Sequence, residues 1–334
     1  MSGIDRQGEQ EHQELLAALQ ANQDHPVLLL KLGYSYFKRE QFGAALACFT
    51  RLYQLHPDLP VAYENIIGVY QELSVRRNHQ AIHIPYQPVH TPGVKQDILP
   101  QQDPPESTTV IVLCAGEAVR WGDYRNTPRK HLVEIEGEPI LTRTLRLAST
   151  FSPTQVHVLV RPGDEALYRA FCPANVNVTA IADIPLEQQT PAWKYLSSEP
   201  YWNRNGRTIS LLGDVWFSEA AMEIIFSFSG GNWFTFGRSK ASVTTGCPYE
   251  EIFAHRFYDY SRHHQALSTL DQLYRVNVCR RHTSGWPLTQ LMANEDPNIR
   301  SVGNAFVEID DFTDDFDFPE DYDRWTAKRQ LAGS

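Results

Sequence analysis

The spacing of apolar positions changes character along the chain. Over residues 11–21 they fall on one face of a helix, and over residues 26–57 they recur at helical spacing in two runs, with a break at residues 39–41. The second stretch predicts a helix, a turn and a second helix. Tyr63, Ile66 and Tyr70 repeat the first of these helices one period later. From residue 76 to 107 the periodicity stops, and Pro85, Pro88, Pro92, Pro100, Pro104 and Pro105 block both helix and sheet ladder, which predicts a linker. Thr108 to Leu113 then reads Thr-Thr-Val-Ile-Val-Leu, a β-rich apolar run of the kind buried on both faces of a parallel sheet. Strand and helix signals alternate after it. A strand and a turn at Gly137 to Pro139 lead into a helix over 141–150, followed by a strand over 155–161, a helix over 165–171, a strand over 176–182 and another strand from Thr208. Such alternation predicts an α/β domain with a mostly parallel sheet.

Within residues 26–57, Leu29, Leu32, Gly33, Tyr36, Phe42, Ala45, Phe49, Leu52 and Pro57 occupy the places of a tetratricopeptide repeat, which this segment resembles. Small residues at Gly33 and Ala45 let the two helices approach, and the large ones fill the space around the contact. About three such repeats normally bury a continuous core, so this short module is expected to lean on another surface or another chain. It would dock a protein partner, or else cap the larger domain or mediate self-association.

Length then sets the division. A chain of 334 residues suits a small module and one larger domain. We read a helical module at 1–75, a Pro/Gln/His-rich linker at 76–107 and an α/β domain at 108–328. A net charge of −10 argues against nucleic acid as a partner. The five cysteines, Cys48, Cys114, Cys172, Cys247 and Cys279, lie far apart and form no C-x-x-C pair, so neither a disulfide framework nor a zinc site is expected. No stretch approaches the roughly 18 apolar residues of a membrane span. The expectation is a cytoplasmic protein without a membrane anchor. His79, His83 and His90 in the linker lack carboxylate or cysteine company and are not expected to hold metal.

The first strand of the α/β domain runs into Cys114-Ala-Gly-Glu-Ala-Val-Arg-Trp-Gly122, followed by Pro128-Arg-Lys-His-Leu132. Small residues let backbone N–H groups close around phosphate oxygens, and Arg120, Arg129 and Lys130 are cations able to neutralise a triphosphate. An ordinary strand-to-helix turn with solvated charges is the alternative. The strand from Thr208 ends at Gly213-Asp214, and ligands of open α/β sheets gather at the carboxyl ends of strands, where a carboxylate can hold Mg²⁺. Asp214 would otherwise be a turn residue capping a helix near Ser218. Arg238 and Lys240 beside an aromatic run are candidates for the phosphate of a second substrate, or charges on an edge strand. His255-Arg256 and Arg262-His263-His264 could approach a substrate, but read first as a helix surface with partly buried rings. The carboxylates Asp310, Asp311, Asp314, Asp315 and Asp317 form an acidic run that a solvated surface would also explain.

Together these segments resemble the signature of the GT-A-type nucleotidyltransferases, which include sugar-phosphate nucleotidyltransferases, alcohol-phosphate cytidylyltransferases and the molybdenum-cofactor guanylyltransferase. Their pattern is L-A-A-G-x-G-x-R-x-G, then P-K-x-L and G-x-P-L. Leu113, Ala115, Gly116, Arg120, Gly122, Lys130, Leu132, Gly137 and Pro139 match it, while Ala118 replaces the second loop glycine and Arg129 the proline before the lysine. The late segment Asp315-Phe-Asp-Phe-Pro-Glu-Asp321 resembles the D-x-D-T-P-E-D ending, with Phe318 in place of threonine.

The resemblance covers about two thirds of the chain and implies a Rossmann-like, GT-A-like α/β fold preceded by the small all-α module. It implies that Leu113, Ala115, Gly116, Glu117, Arg120 and Lys130 bind nucleotide, with Arg120 and Lys130 catalytic. Gln189 and Thr190 would read the base, although Thr190 also suits a helix N-cap, and Asp214 and Asp317 would hold Mg²⁺. The reaction implied is transfer of a nucleoside monophosphate from a nucleoside triphosphate, CTP by preference, to a phosphorylated sugar, polyol, choline or phosphonate, with release of pyrophosphate. A GT-A glycosyltransferase using a nucleotide sugar, or a degenerate nucleotide-binding scaffold with an interaction role, are the rival readings.

Overall fold

The computed structural model describes residues 3–80, 107–116, 129–228, 231–299, 303 and 305–332. The chain forms two compact units, one built from Met1–Gln96, Gln189–Trp193 and Arg262–Asn304, the other from Asp97–Gln188, Lys194–Ser261 and Ala305–Ser334.

The first unit opens with four helices, α1 (Gly3–Ala21), α2 (Pro26–Lys38), α3 (Phe42–Leu55) and α4 (Pro60–Gln80). The expected hairpin is the α2–α3 pair. Leu29, Leu32 and Tyr36 of α2 are fully buried, as is the run from Ala44 to Phe49 in α3. Gly33 sits where a Cβ would stand 2.4 Å from the Phe49 ring, so glycine is what permits this closeness. Two further helices of the unit, α9 (Tyr260–Arg275, within the unit from Arg262) and α10 (Gly285–Met292), provide the surface on which the short module leans. The Tyr36 hydroxyl donates to Gln272 Oε1 at 3.2 Å, and Gly43 of α3 lies against the Glu295 carbonyl just past α10. That surface comes from the same chain. The linker expected at 76–107 is helical to Gln80, and residues 81–106 lie outside the described ones.

The second unit is a seven-stranded sheet flanked by helices. Its strands are β1 (Thr108–Leu113), β4 (Gln155–Val160), β5 (Asn177–Ala180), β6 (Arg207–Leu212), β8 (Trp233–Arg238), β9 (Glu251–Phe257) and β10 (Phe306–Glu308), in the order β10-β8-β9-β6-β1-β4-β5. All neighbours pair in parallel except β9, which is antiparallel to both β6 and β8. The sheet is therefore mostly parallel, as expected. One face carries Val110, Val112, Val156, Val158, Ile209 and Leu211, and α5 (Ile140–Ser149) and α8 (Glu219–Ser227) cover it with Leu141, Leu145, Met222 and Ile225. Short helices α6 (Glu165–Arg169) and α7 (Trp193–Leu196) complete the set before the terminal helix α11 (Pro319–Ala332).

Two small ladders lie outside the main sheet. The hairpin β2 (Glu134–Ile135) and β3 (Glu138–Pro139) turns through Glu136 and Gly137, both at positive φ (54° and 81°), the signature of a tight two-residue turn. Strands β7 (Val215–Trp216) and β11 (Asp314–Asp315) pair antiparallel. A second core of Val133, Ile135, Ile140, Trp216, Phe316, Tyr322 and Trp325 binds this hairpin, this ladder and α11 together.

Two expectations are corrected. His255 and Arg256 are not on a helix surface but inside β9, fully buried. The segment around Arg238 is not an edge strand, since β8 lies between β9 and β10.

Candidate active site

Chain direction reverses beside β1. From β1 the chain goes to β4 and β5 on one side, then crosses to β6 on the other, and such a switch point opens a crevice at the carboxyl ends of the strands. There Cys114 N–H donates to the Leu159 carbonyl at 2.8 Å and Gly213 N–H to the Leu113 carbonyl at 3.1 Å. A Cβ on Gly213 would lie 2.4 Å from Cys114 Sγ and 2.9 Å from the Leu113 carbonyl, so the two strand ends meet only because residue 213 has no side chain. Asp214 is the next residue. The helix-capping role falls to Ser218 instead, whose Oγ accepts from Ala221 N–H at 2.9 Å.

Lys130 begins a single 3₁₀ turn (Lys130–Leu132) that enters the β2–β3 hairpin. Its ammonium forms an ion pair with Asp214 Oδ2 and lies 3.6 Å from Asp317 Oδ1. Asp317 reaches this point through the β7–β11 ladder. Asp315 is opposite Val215, and Phe316 N–H donates to the Asp214 carbonyl at 3.3 Å, which carries the next residue to the end of β6. Two carboxylates distant in sequence thus converge on one ammonium.

Burial disfavours both charges of the pair, but each supports the other. For Asp214 the cost of burial is outweighed by Lys130, and its pKa falls to about 2. For Lys130 the cost of burial is outweighed by Asp214 and Asp317, and its pKa rises. Both are ionised at neutral pH. The nearby Asp315 is pushed well up by burial and by the surrounding carboxylates Glu251, Asp317, Asp214 and Asp314, and Glu251 rises to about 7 through burial and the charge of Asp317. Among the described residues, carboxylates outnumber cations around Lys130.

Two other cations that the sequence marks, Arg129 and Arg238, are engaged. Arg129 grips Asp164 through two bonds of 2.8 and 2.7 Å, which accounts for an arginine before the lysine. Arg238 is buried and donates to Asp314 at 3.0 Å and to the carbonyls of Lys240 and Tyr249. Asp314, far from solvated at 1% exposure, also accepts from the hydroxyls of Ser242, Thr244 and Thr245. His131 is buried with Nδ1 against the Tyr168 hydroxyl, and burial lowers its pKa to about 3, so the ring is neutral.

Of the residues read from sequence, Leu113, Ala115, Gly116, Lys130, Asp214 and Asp317 come together around the ends of β1 and β6. Glu117 and Arg120 lie outside the described residues. Gln189 and Thr190 belong to the first unit, where Thr190 Oγ1 donates to Asp271 at 2.6 Å. Lys240 is exposed just beyond β8. Asp315 and Glu251 were not singled out as site residues in the sequence; the D-x-D spacing was a signal for the first, and none marked the second. Among the described residues no group of three or more His, Cys, Asp or Glu side chains forms a metal-binding cluster, and no helix is long and apolar enough to cross a membrane.

No protein-family model matches the chain, and no curated protein matches it in sequence. Solved structures do. The chain is similar to 4-diphosphocytidyl-2C-methyl-D-erythritol synthase from Anaerococcus prevotii, at 13% identity and a TM-score of 0.46 over 67% of this chain and 96% of that one. It is similar to CTP:phosphocholine cytidylyltransferase from Streptococcus pneumoniae, at 12% and 0.44 over 67% and 99%. A third is the inositol-1-phosphate CTP transferase from T. maritima, at 12% and 0.44 over 68% and 97%. At this level of similarity the reading of the site rests on its own residues.

Proposed function

We propose that the second unit is a nucleotidyltransferase, moving a nucleoside monophosphate from a nucleoside triphosphate to a phosphorylated small molecule and releasing pyrophosphate. The observation that carries this reading is the convergence of Asp214 and Asp317 on Lys130 at the sheet's switch point, beside the Cys114–Gly116 backbone. The donor set fits Mg²⁺, which typically takes one or two carboxylates and fills its remaining positions with water and substrate phosphate. Asp214 and Asp317 would hold it, and the excess of carboxylates over cations favours a divalent ion there. When bound, Mg²⁺ polarises the α-phosphoryl group.

The chain's own residues supply alignment and charge. Lys130 keeps Asp214 ionised and holds both carboxylates at one point. Its ammonium has three N–H donors, so donors remain for a phosphate oxygen. The acceptor's phosphate oxygen attacks the α-phosphorus as the bond from that phosphorus to the bridging oxygen of pyrophosphate breaks. A phosphate dianion is already a nucleophile, so no side-chain base is required. CTP is the favoured donor, on the likeness of the compact loop and the late acidic motif to cytidylyltransferases, and the acceptor is a phosphorylated sugar, polyol, choline or phosphonate. The tetratricopeptide-like helices of the first unit serve a protein partner or self-association.

The test is pyrophosphate release with each of the four ribonucleoside triphosphates and Mg²⁺ against a panel of such acceptors. Release with one triphosphate, abolished in Asp214→Ala and in Asp317→Ala, supports the reading. Unchanged release in both variants, or none with any triphosphate, sinks it.

A further inference from the structure

One face of the main sheet is polar at its centre. His255 of β9 stands opposite Ser210 of β6 on one side and Thr235 of β8 on the other. Its imidazole is fully buried, and burial lowers its pKa to about 3, so the ring is neutral and brings no charge to a phosphate. Nδ1 lies 3.1 Å from the Thr235 hydroxyl, while Nε2 has no hydrogen-bond partner. What the ring does is pack. Trp233 lies against it with centroids 5.5 Å apart, and Tyr195 of α7 meets it edge-on at 5.4 Å and 66°. Edge-to-face is a preferred ring geometry, so this contact fixes where the phenol points. Tyr195 is only 6% exposed, yet its hydroxyl makes no hydrogen bond among the described residues, although a buried phenol usually finds a partner. Burial first, and then the charge of the Asp214 carboxylate, push the pKa of this hydroxyl up. The phenol is thus a neutral O–H donor beside the carboxylate on which the site is built.

We propose that Tyr195 is a ligand-binding residue of the nucleotidyl-transfer site, its hydroxyl donating to a phosphate oxygen of a ligand seated at Asp214, and that His255 is the positioning residue that fixes its ring. The proposal rests on the nucleotidyl-transfer reading above and adds two residues to it. Were Asp214 itself the acceptor, that bond would stand among those of the described residues, whereas Asp214 takes Lys130 instead. Phosphate oxygens are the acceptors that a carboxylate-held Mg²⁺ brings to this point. A hydrogen bond from a neutral donor to an ionised oxygen is stronger than one between neutral groups and does not depend on the base, so inorganic tripolyphosphate should feel it as CTP does. The same contact gives a role to a histidine buried in the middle of a strand.

The experiment is calorimetric titration of the full chain with CTP and with inorganic tripolyphosphate, both with Mg²⁺, for the unmodified protein, Tyr195→Phe, His255→Met and the double variant, alongside thermal melting. Tyr195→Phe removes only an O–H that no protein group accepts, so melting should be unchanged while both ligands weaken about 10-fold. His255→Met should weaken both ligands when residue 195 is tyrosine and have little further effect when it is phenylalanine, a non-additivity that a purely structural role would not produce. Binding of both ligands by Tyr195→Phe within about twofold of the unmodified chain overturns the assignment. So does weakening of CTP with tripolyphosphate untouched, which would place the hydroxyl on the ribose or the base. A lowered melting temperature in Tyr195→Phe also overturns it, by showing that the hydroxyl serves the fold. Should the unmodified chain bind neither ligand and release no pyrophosphate, the nucleotidyl-transfer reading fails and the role of Tyr195 with it; should it bind and turn over while Tyr195→Phe matches it, only the role of Tyr195 fails.

Discussion

Replacing Arg238 tests whether the acidic segment is placed by a buried charge network. Arg238 and Asp314 are almost wholly enclosed, with side-chain exposures of 9% and 1%, and Nη2 lies 3.0 Å from Oδ1. At an effective dielectric constant near 20 that separation is worth about 5 kcal/mol of attraction, most of it offset by the desolvation of both ions. Removing one partner exposes the offset, because the other charge stays buried. Such breakage costs about 3–5 kcal/mol in general, and we expect the low end, about 3, for Arg238→Met, since three hydroxyls still donate to Asp314. For Asp314→Asn we expect about 2 kcal/mol, because the arginine keeps the carbonyls of Lys240 and Tyr249. The double variant should cost about 3 rather than 5, a coupling of about 2 kcal/mol between the sites.

Urea denaturation of the ligand-free chain at 25 °C, followed by tryptophan fluorescence, reads these values. The consequence for function follows from the ladder. Asp314 pairs with Trp216, and Asp317 lies three residues on, so loosening the network should raise the Mg²⁺ concentration needed for half-maximal turnover at temperatures where the variants remain folded. Additivity within about 0.5 kcal/mol, or a loss below about 1 kcal/mol for Arg238→Met, would refute the reasoning. A variant of full stability with a raised KM for the acceptor alone would instead return Arg238 to the role of a substrate-phosphate ligand.

Three further outcomes are expected. Gly213→Ala should force apart the ends of β1 and β6, costing about 1–3 kcal/mol in denaturant titration and most of the turnover, because the new methyl would lie 2.4 Å from Cys114 Sγ. In the first unit, Gly33→Ala should cost a similar 1–3 kcal/mol by driving a methyl into the Phe49 ring, and hydrogen exchange should rise in α2 and α3 rather than in the sheet. Glu251 ionises in the unfolded chain near 4.5 but only near 7 when folded, through burial and the charge of Asp317. The folded state therefore binds the extra proton between these values, and stability should fall as pH rises from about 4.5 to 7 and level off above, by an amount on the order of 3 kcal/mol. Glu251→Gln should flatten that slope in pH-dependent urea melts, and an unchanged slope would show that the proton resides elsewhere.

What could be read from the sequence, and what could not, divides by the range of the interactions. The central strands β1 and β6 are buried through their middle and read as short β-rich runs, so their ends, Cys114 to Gly116 and Asp214, were visible as places where chemistry could sit. Lys130 was visible as a cation following the loop at the end of β1 and as a match to the P-K-x-L pattern. The helices α2 and α3 were legible from the helical spacing of apolar residues over 26–57. By contrast, β9 was hidden, since His255 and Arg256 give it polar centres. Arg256 is tolerated there because its guanidinium lies about 5.5 Å from the centroids of Phe228, Phe234 and Phe236 and donates to the Ile225 carbonyl, partners that no local pattern announces. Asp314 looked like solvated acid for the same reason, because its hydroxyl donors come from residues 242–245. Strand β11 is two residues long, too short to leave any periodicity, yet it is the element that carries Asp317 to Asp214. Helices α9 and α10 read as part of the α/β domain because chain order placed them there, while Gln272 and Glu295 tie them to α2 and α3. Buried charges satisfied across long chain separations leave no periodic trace, and in this protein they decide where the acidic residues of the site stand.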